Sequence, residues 1–513
     1  MAAGHDRRIH LDLDDGGVLK GHGFRTCVEE NDSVGERVLK PGGLGVTADV
    51  IVIGGGVAGL SAATRLADRG ARVTVVEARP HLGGRASSFV DPATGETVDN
   101  GQHILMGCYR ETFAFLRRIG AMSRVRVQPS LTVPSIDSAG NRSVLTCPPL
   151  PAPWHLLGGV IEWDALGWRD RLSVLRLGAP VKTERRRLRG ATGLMACSPE
   201  ETVENWLVRN GQTPRLREML WDPLALAALN QPPREAAAPA FVRVLAEMFG
   251  PEPQAASIGF PAVPLHEMYV APASDFIVAR AGRVWTNALA RVIVEGGRAV
   301  GVRARGGREI RAGAVVSTVP WFAVRSLFDE VPPPLQRVVS DAARMASYPI
   351  VTVNLWFDRS VLGTPFVGLP GRTMQWAFDH GAITGAPGGG FVTRSPGAGR
   401  PQNAGRDNGP AHVSLVSSGA AAVVGMTNDA IVSVALRELR DALPPARSAA
   451  VRKASVVRER QATFSLAPGQ PARPATDTPL AGFYLAGDWT NTGLPGTIEG
   501  AAISGHRAAE VIR

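Results

Sequence analysis

Three glycines stand at the spacing a chain needs to approach a diphosphate, Gly54-x-Gly56-x-x-Gly59. The first permits a tight turn, the second lets a pyrophosphate reach backbone amides, and the third allows a helix to pack closely on a strand. The amides at the start of that helix, Val57 and Ala58 among them, add the positive potential of a helix N-terminus. The flanks agree with this reading. Residues 48–53 are a short apolar, β-branched run; residues 60–69 have helical spacing and stop at Gly70; residues 72–77 form a second buried strand. Glu77 closes that strand, placed to accept hydrogen bonds from a ribose diol, and its charge would repel a 2′-phosphate. NADP is therefore disfavoured, while NAD and FAD both stay open at this point.

Directly after Glu77 come Ala78-Arg79-Pro80-His81-Leu82-Gly83-Gly84-Arg85. This run resembles a segment of the flavoprotein amine oxidase and phytoene desaturase superfamily. The resemblance implies that Gly83 and Gly84 let the backbone approach FAD and that Arg79 and Arg85 add charge beside it. Near the other end, Tyr484-Leu485-Ala486-Gly487-Asp488-Trp489-Thr490 and Gly496-Thr497-Ile498-Glu499-Gly500-Ala501 resemble the C-terminal FAD signature of the same superfamily. There Asp488, after Gly487, is implied to meet the ribityl or pyrophosphate portion. A helix opening at Thr497 and Ile498 is implied to aim its N-terminus at the flavin, favouring the reduced anion. No cysteine follows Gly487, so a non-covalent FAD is expected.

A further segment, Val98-Asp99-Asn100-Gly101-Gln102-His103-Ile104-Leu105-Met106-Gly107-Cys108-Tyr109, is similar to the D-x-G-x-H stretch that lies against the isoalloxazine in phytoene desaturase-like enzymes. With residues 111–120 and His266-Glu267-Met268-Tyr269 it resembles most closely the hydroxysqualene dehydroxylase family of bacterial hopanoid pathways, from about residue 48 to the C-terminus. The resemblance implies reductive removal of the hydroxyl of hydroxysqualene to give squalene, an allylic C–O bond being protonated and the carbon quenched by flavin hydride. Gly101, Gln102 and His103 then belong at the flavin. His103 is the first choice of acid, with Tyr109 second and His266 and Tyr269 behind them. Trp154, Phe241, Phe249, Trp356, Phe357 and Trp376 are candidates to line a pocket for a C30 chain, with ordinary core packing the commoner role for any one of them. A phytoene-type desaturase is the alternative. An amine oxidase is less favoured, because neither Lys182 nor Lys453 is expected in a substrate-domain strand. A lipid-carrying, flavin-free relative is the non-enzymatic alternative.

These residues need scaffolding from distant stretches. The expected fold is α/β: a Rossmann-like FAD domain of the glutathione reductase and monoamine oxidase type, with an interleaved α+β substrate domain. Residues 48–107, 271–320 and 475–513 are assigned to the first, and 108–270 and 321–474 to the second. Residues 145–264 read as mostly helical, and 385–410 as a surface loop rich in Gly, Pro and Arg. Residues 1–47 read as a mobile extension.

Composition sets the outer bounds. The 513 residues carry 56 Lys+Arg against 46 Asp+Glu, and only four of those cations are lysine. A pI near 10.1 favours an acidic partner. The densest basic run, Arg185-Arg186-Arg187-Leu188-Arg189, sits beside apolar stretches and lacks the interleaved aromatics of single-strand nucleic-acid binding, so a solvated helix face is the first reading and contact with an anionic membrane face the second. Four scattered cysteines without metal-type spacing argue against a metal site or disulfide framework. No apolar run reaches membrane-spanning length and no signal-peptide core precedes residue 47, so a cytoplasmic protein, touching the inner membrane face at most, is expected. The electron donor is not named by any of these features.

Overall fold

The computed structural model describes residues 10–12, 46–92, 94–385 and 411–512. Val46–Ile53 (β1) is buried on both faces over residues 50–53, as its β-branched run demands, and leads through the glycine turn into Val57–Asp68 (α1) and back to Val73–Val76 (β2). Glu309–Ser317 (β3) lies parallel to β1 on the other side. Phe483–Leu485 pairs in parallel with the last residues of β3, and the antiparallel hairpin Ala290–Glu295 with Arg298–Ala304 takes its first residues. The consequence is a common edge. Ile53 pairs with Val76 and with Ser317, and Ser317 pairs with Leu485, so four parallel strands end at one level. Gly54, Glu77, Thr318 and Ala486 follow immediately, where ligands bind in open α/β sheets.

The second sheet has eight strands. Its centre is Ser347–Phe357 (β4) flanked by Ala411–Ser417 (β5) and Val451–Phe464 (β6), and the order continues through Trp376–Asp379, Phe366–Gly368, Thr132–Ile136 and Arg142–Thr146. One face carries Val351, Val353, Leu355, Val413, Leu415 and Val456, and packs on the apolar stripe of Asn428–Ala442, chiefly Ile431, Ala435 and Leu439. The other face holds Thr352, Asn354, Trp356 and Ser414. Between residues 154 and 248 lies a helical layer around Trp163, Trp206, Trp221 and Phe241, in keeping with the helical spacing read there. Of the segment expected to be a mobile extension, residues 10–12 form a strand along the edge of β6; residues 1–9 and 13–45 lie outside the described residues, as do 386–410 of the expected loop.

The last helix, Ile498–Val511, lies against α1 so closely that a Cβ on Gly505 would sit 2.3 Å from the Ala58 carbonyl oxygen. Gly178 opens a helix with nothing within 4 Å of such an atom. Gly505→Ala should therefore cost about 1–3 kcal/mol, seen as a lower thermal midpoint, while Gly178→Ala should leave the midpoint unchanged or raise it slightly. Equal midpoints for the two variants would contradict the packing assigned to Gly505.

Candidate active site

At the glycine turn, backbone and neighbouring side chains leave no room for a Cβ: one on Gly54 would lie 2.6 Å from Thr318 Oγ1 and one on Gly55 2.4 Å from Leu82 Cδ2. Gly54 has φ +105°, open to glycine, and a Cβ on Gly59 would lie 2.0 Å from the Gly54 carbonyl oxygen. Gly83 donates its N–H to the Gly55 carbonyl at 2.8 Å, and Gly84 stacks its Cα over Gly56. The two glycine segments thus form one cradle. Glu77 is buried; its Oε2 accepts from the Gly55 N–H at 2.7 Å and its Oε1 from the Arg79 N–H at 2.9 Å, with Ala78 between. The second lone pair on each oxygen is left for a diol. Helix α1 has Gly56 as its N-cap and no side-chain cap, so the first-turn amides of Val57, Ala58 and Gly59 remain free for an anion. Thr318 donates its hydroxyl towards the Ile53 and Gly54 carbonyls at 3.0 Å each. Sequence reading passed over this clamp; its signal was position alone, at a strand end beside the turn.

The C-terminal signature arrives at the same place. Arg85 Nη2 donates to Asp488 Oδ1 at 2.5 Å, its Nη1 to the Ala462 carbonyl at 2.7 Å, and its guanidinium lies 5.4 Å from the Trp321 ring centroid. Gly487, at φ +135°, donates its N–H to Ser504 Oγ at 2.8 Å. Thr497 caps the final helix, its hydroxyl oxygen accepting from the Gly500 N–H at 3.0 Å, and Ile498 is the first helical residue. Glu499, pushed above the usual carboxylate range by burial, accepts from the Glu111 and Thr112 amides and so caps helix Arg110–Arg118. Arg473, not anticipated, lies half-buried nearby; desolvation lowers it to about 10 while Asp488 opposes the shift.

The segment after Asp99 lies between this cradle and the second sheet. A Cβ on Gly101 would be 3.5 Å from Thr352 Oγ1 and 3.8 Å from His103 Cε1. His103 Nδ1 donates to the Gly101 carbonyl at 2.7 Å, and burial lowers its pKa, so the imidazole is neutral with Nε2 as acceptor. Tyr109 is the N-cap residue of Arg110–Arg118, half-buried, its phenol raised by burial. Tyr269 braces the turn instead: its hydroxyl donates to the carbonyls of Ala86 (2.5 Å) and Gly83 (3.0 Å), holding the cradle. His266 donates its backbone N–H to Ser88 Oγ at 2.9 Å.

Beside this segment opens a cleft of about 570 Å³ whose walls include Asp99, Gln102, Pro261, Trp356, His380 and His412. Burial raises Asp99 to about 6, and its Oδ1 accepts from Ser88 Oγ and the Leu265 N–H. His412 stacks between Trp356 (4.4 Å) and His380 (4.0 Å), and burial lowers the two histidines to about 2 and about 4. Apolar side chains back the same region: Ile104 and Met106 from the Gly101 segment, and Phe260, Phe366, Phe378 and Trp376 opposite. Of the aromatics expected to line a pocket, Trp356, Trp376 and Phe249 lie here. Phe241 and Phe357 are instead core residues of the helical layer and of the far sheet face, and Trp154 is 60% exposed. Strand alternation puts Phe357 on the face opposite Trp356. Lys453 also differs from expectation: it lies within β6, opposite Trp356, because the alternating charges of Val451–Phe464 belong to a 14-residue strand. Its placement therefore gives no argument against amine chemistry.

A family model for flavin-containing amine oxidoreductases matches residues 57–513. The chain belongs to that family. Among its relatives are hydroxysqualene dehydroxylases of Rhodopseudomonas palustris, 30% identical over 478 residues, and Sinorhizobium fredii, 29% over 480, each match covering 90% of this chain and 98% of the relative. A zeta-carotene desaturase of Arabidopsis thaliana is 25% identical over 481 residues, covering 90% and 85%. The fold is shared with an oxidoreductase from Methanosarcina mazei (TM-score 0.66, 18% identity, 90% and 99% covered) and with putrescine oxidase (TM-score 0.64, 18% identity, 91% and 99% covered). This flavoprotein is an FAD-dependent oxidoreductase of Rossmann type. The uncapped α1 amides, the Gly56–Gly84 cradle and the free lone pairs of Glu77 fit FAD.

Two measurements probe this site. Asp488→Asn should weaken FAD retention by about tenfold or more, read from flavin absorbance after dialysis, because Arg85 loses its counter-charge; full retention would contradict the contact. His380 and His412 are neutral when folded and gain protons more easily when unfolded, so their contribution is complete above about pH 6.5 and is lost as pH falls towards about 4. The thermal midpoint should fall between pH 7 and pH 5, and fall less in the His380→Gln, His412→Phe double variant; identical slopes would refute this.

Proposed function

We propose that this flavoprotein removes the hydroxyl of hydroxysqualene reductively, giving squalene. The observation that carries the reading is the match, over nine-tenths of the chain, to hydroxysqualene dehydroxylases. The apolar cluster of Ile104 and Met106, from the Gly101 segment, with Phe260 and Phe366 is in keeping with a hydrocarbon substrate. Reduced FAD, when bound, supplies a hydride. The protein must supply the rest: Glu77, the glycine cradle and Asp488 hold the cofactor, the apolar cluster excludes water, and an acid protonates the departing oxygen so that it leaves as water. A two-electron donor must then reduce FAD again.

His103 is the proposed acid. Burial holds it neutral near pH 7, so its acidic form gains population as pH drops below its ordinary value. Turnover should accordingly rise as pH falls from about 7.5 to about 5.5, and His103→Gln should flatten that limb while keeping its flavin. A Tyr109 acid, protonated throughout this range because burial raises the phenol, predicts no such limb.

The relatives named as carotene desaturases motivate a second reading, the same fold run in the oxidising direction. Anaerobic incubation with hydroxysqualene and dithionite-reduced FAD, beside phytoene with oxidised FAD and an alkylamine with oxidised FAD, separates the readings by product mass. Squalene in the first arm alone supports dehydroxylation; product in either other arm with none in the first overturns it.

Substrate and product both partition into lipid, and we place the protein on an anionic bilayer surface. Half of the exposed large apolar side chains among the described residues fall between Leu150 and Met195, including Trp154 (60% exposed), Trp168 (67%) and Leu194 (70%). Arg169, Arg176, Lys182, Arg186 and Arg189 are exposed in the same stretch. Aromatic and apolar side chains with cations around them suit the headgroup boundary. Among the described residues no helix is long and apolar enough to cross a membrane. Trp154→Ser with Trp168→Ser should cut the fraction co-floating with phosphatidylglycerol-containing vesicles severalfold without loss of flavin; unchanged flotation would refute the surface.

A further inference from the structure

The face of the second sheet turned away from its helix carries a polar row buried as deeply as the core. Asn354 on β4 pairs in register with Ser414 on β5 and with Ser455 on β6, and Thr352 lies two residues along the same face. Asn354 and Thr352 are each 1% exposed, Ser414 2% and Ser455 5%. Asn354 Oδ1 is saturated, accepting from Ser414 Oγ at 2.6 Å and from His412 Nε2 at 3.1 Å, while His380 Nε2 meets Ser414 Oγ at 2.6 Å. That bonding orients the amide. Its other end, Nδ2, has no partner among the described residues, and neither has Thr352 Oγ1 or Ser455 Oγ. Buried donors without partners are rare in folded proteins because each loses its hydrogen bonds to water and gains nothing in return.

The surroundings say what would satisfy them. Thr352 abuts Gly101, in the segment whose other residues line the cleft and join the apolar cluster. A carboxylate or ammonium placed here would be a desolvated charge beside neutral groups, since both histidines of the row are uncharged; a plain hydrocarbon would leave the donors unmet. Lys453 stands at the outer end of the row, opposite Trp356, and is already engaged elsewhere. A neutral oxygen on an otherwise apolar molecule fits both demands. We propose that Asn354 Nδ2 and Thr352 Oγ1 form the recognition site for the hydroxyl group of the substrate, and so set the preference of the enzyme for an isoprenoid alcohol over the matching hydrocarbon. This deepens the dehydroxylase reading and rests on it. The Asn354 amide donates to the hydroxyl oxygen and Thr352 accepts its proton; when the C–O bond breaks and a C–H bond forms with the hydride that reduced FAD would supply, the oxygen takes the proton of the His103 imidazolium and departs as water.

The test uses the purified full-length flavoprotein in its oxidised form, where binding can be read from perturbation of the flavin spectrum without turnover. Hydroxysqualene and squalene are the probes. Wild type should bind the alcohol more tightly than the hydrocarbon by about tenfold or more. Asn354→Leu, close in volume, should lose that preference while binding squalene at least as well, and Thr352→Val, an isostere that preserves the β-branched packing, should lose about threefold to tenfold of it with flavin content intact. A wild type that does not discriminate, or variants that keep the full preference, overturns the proposal. If wild type fails to convert hydroxysqualene yet discriminates, and the variants do not, the recognition site stands and the reaction assigned to the protein falls.

Discussion

One ion pair, Arg85 to Asp488, joins segments 403 residues apart and ties together the two halves of the proposed cofactor site. The N-terminal glycine cradle can hold one side of a dinucleotide, but only the C-terminal strand and helix bring the opposite wall. The side chain of Asp488 is 7% exposed and that of Arg85 25%, so the attraction acts in a partly desolvated setting, where losing one partner costs more than at the surface. The contact is possible because four parallel strands stop at one level, putting Gly54, Glu77, Thr318 and Gly487 around one crevice. The close packing of the final helix on α1, through Gly505, keeps that wall in place.

Electrostatically the two halves of the site are unlike. The proposed cofactor side is built of oriented charges and free amides: Glu77 at the glycine turn before α1, the first-turn amides of α1, and the Arg85–Asp488 pair with Arg473 beside it. On the proposed substrate side, burial raises Asp99 to about 6 and lowers His103, His380 and His412, so the three imidazoles carry no charge near neutral pH and Asp99 loses its charge as pH falls through about 6. A low-polarity chamber next to a charged cofactor cradle suits hydride transfer, in which water and stray protons must be kept from the reacting carbon.

How much of this was legible in the sequence follows from how local each constraint is. The glycine turn, Glu77, the Gly83-Gly84 pair and the Gly487-Asp488 end could be found because backbone conformation at those positions narrows the choice of residue. The helical layer announced itself by periodicity, and the strands of the first sheet by short β-branched runs. What could not be read depends on register between strands far apart in the chain. Thr352, Asn354, Ser414 and Ser455 look like scattered polar residues until the ladders of β4, β5 and β6 place them in one buried row. The same blindness misplaced Lys453, and it let Phe357 pass as a pocket residue though it faces the opposite side of its strand from Trp356. Trp154 and Phe241 failed for another reason: an aromatic in a helix carries no local sign of whether its face meets core, pocket or exterior.

The central claim, that reduced FAD held between Gly54 and Asp488 passes its hydride to an isoprenoid alcohol lying on the second sheet, is tested most directly by a single turnover in deuterium oxide. The protein is reduced anaerobically with one equivalent of dithionite, mixed with hydroxysqualene, and followed by flavin absorbance and by mass of the product. The account predicts that the flavin reoxidises and that one squalene forms per flavin, bearing a single deuterium at the carbon that carried the hydroxyl. A flavin that stays reduced, or squalene without deuterium at that carbon, would contradict it.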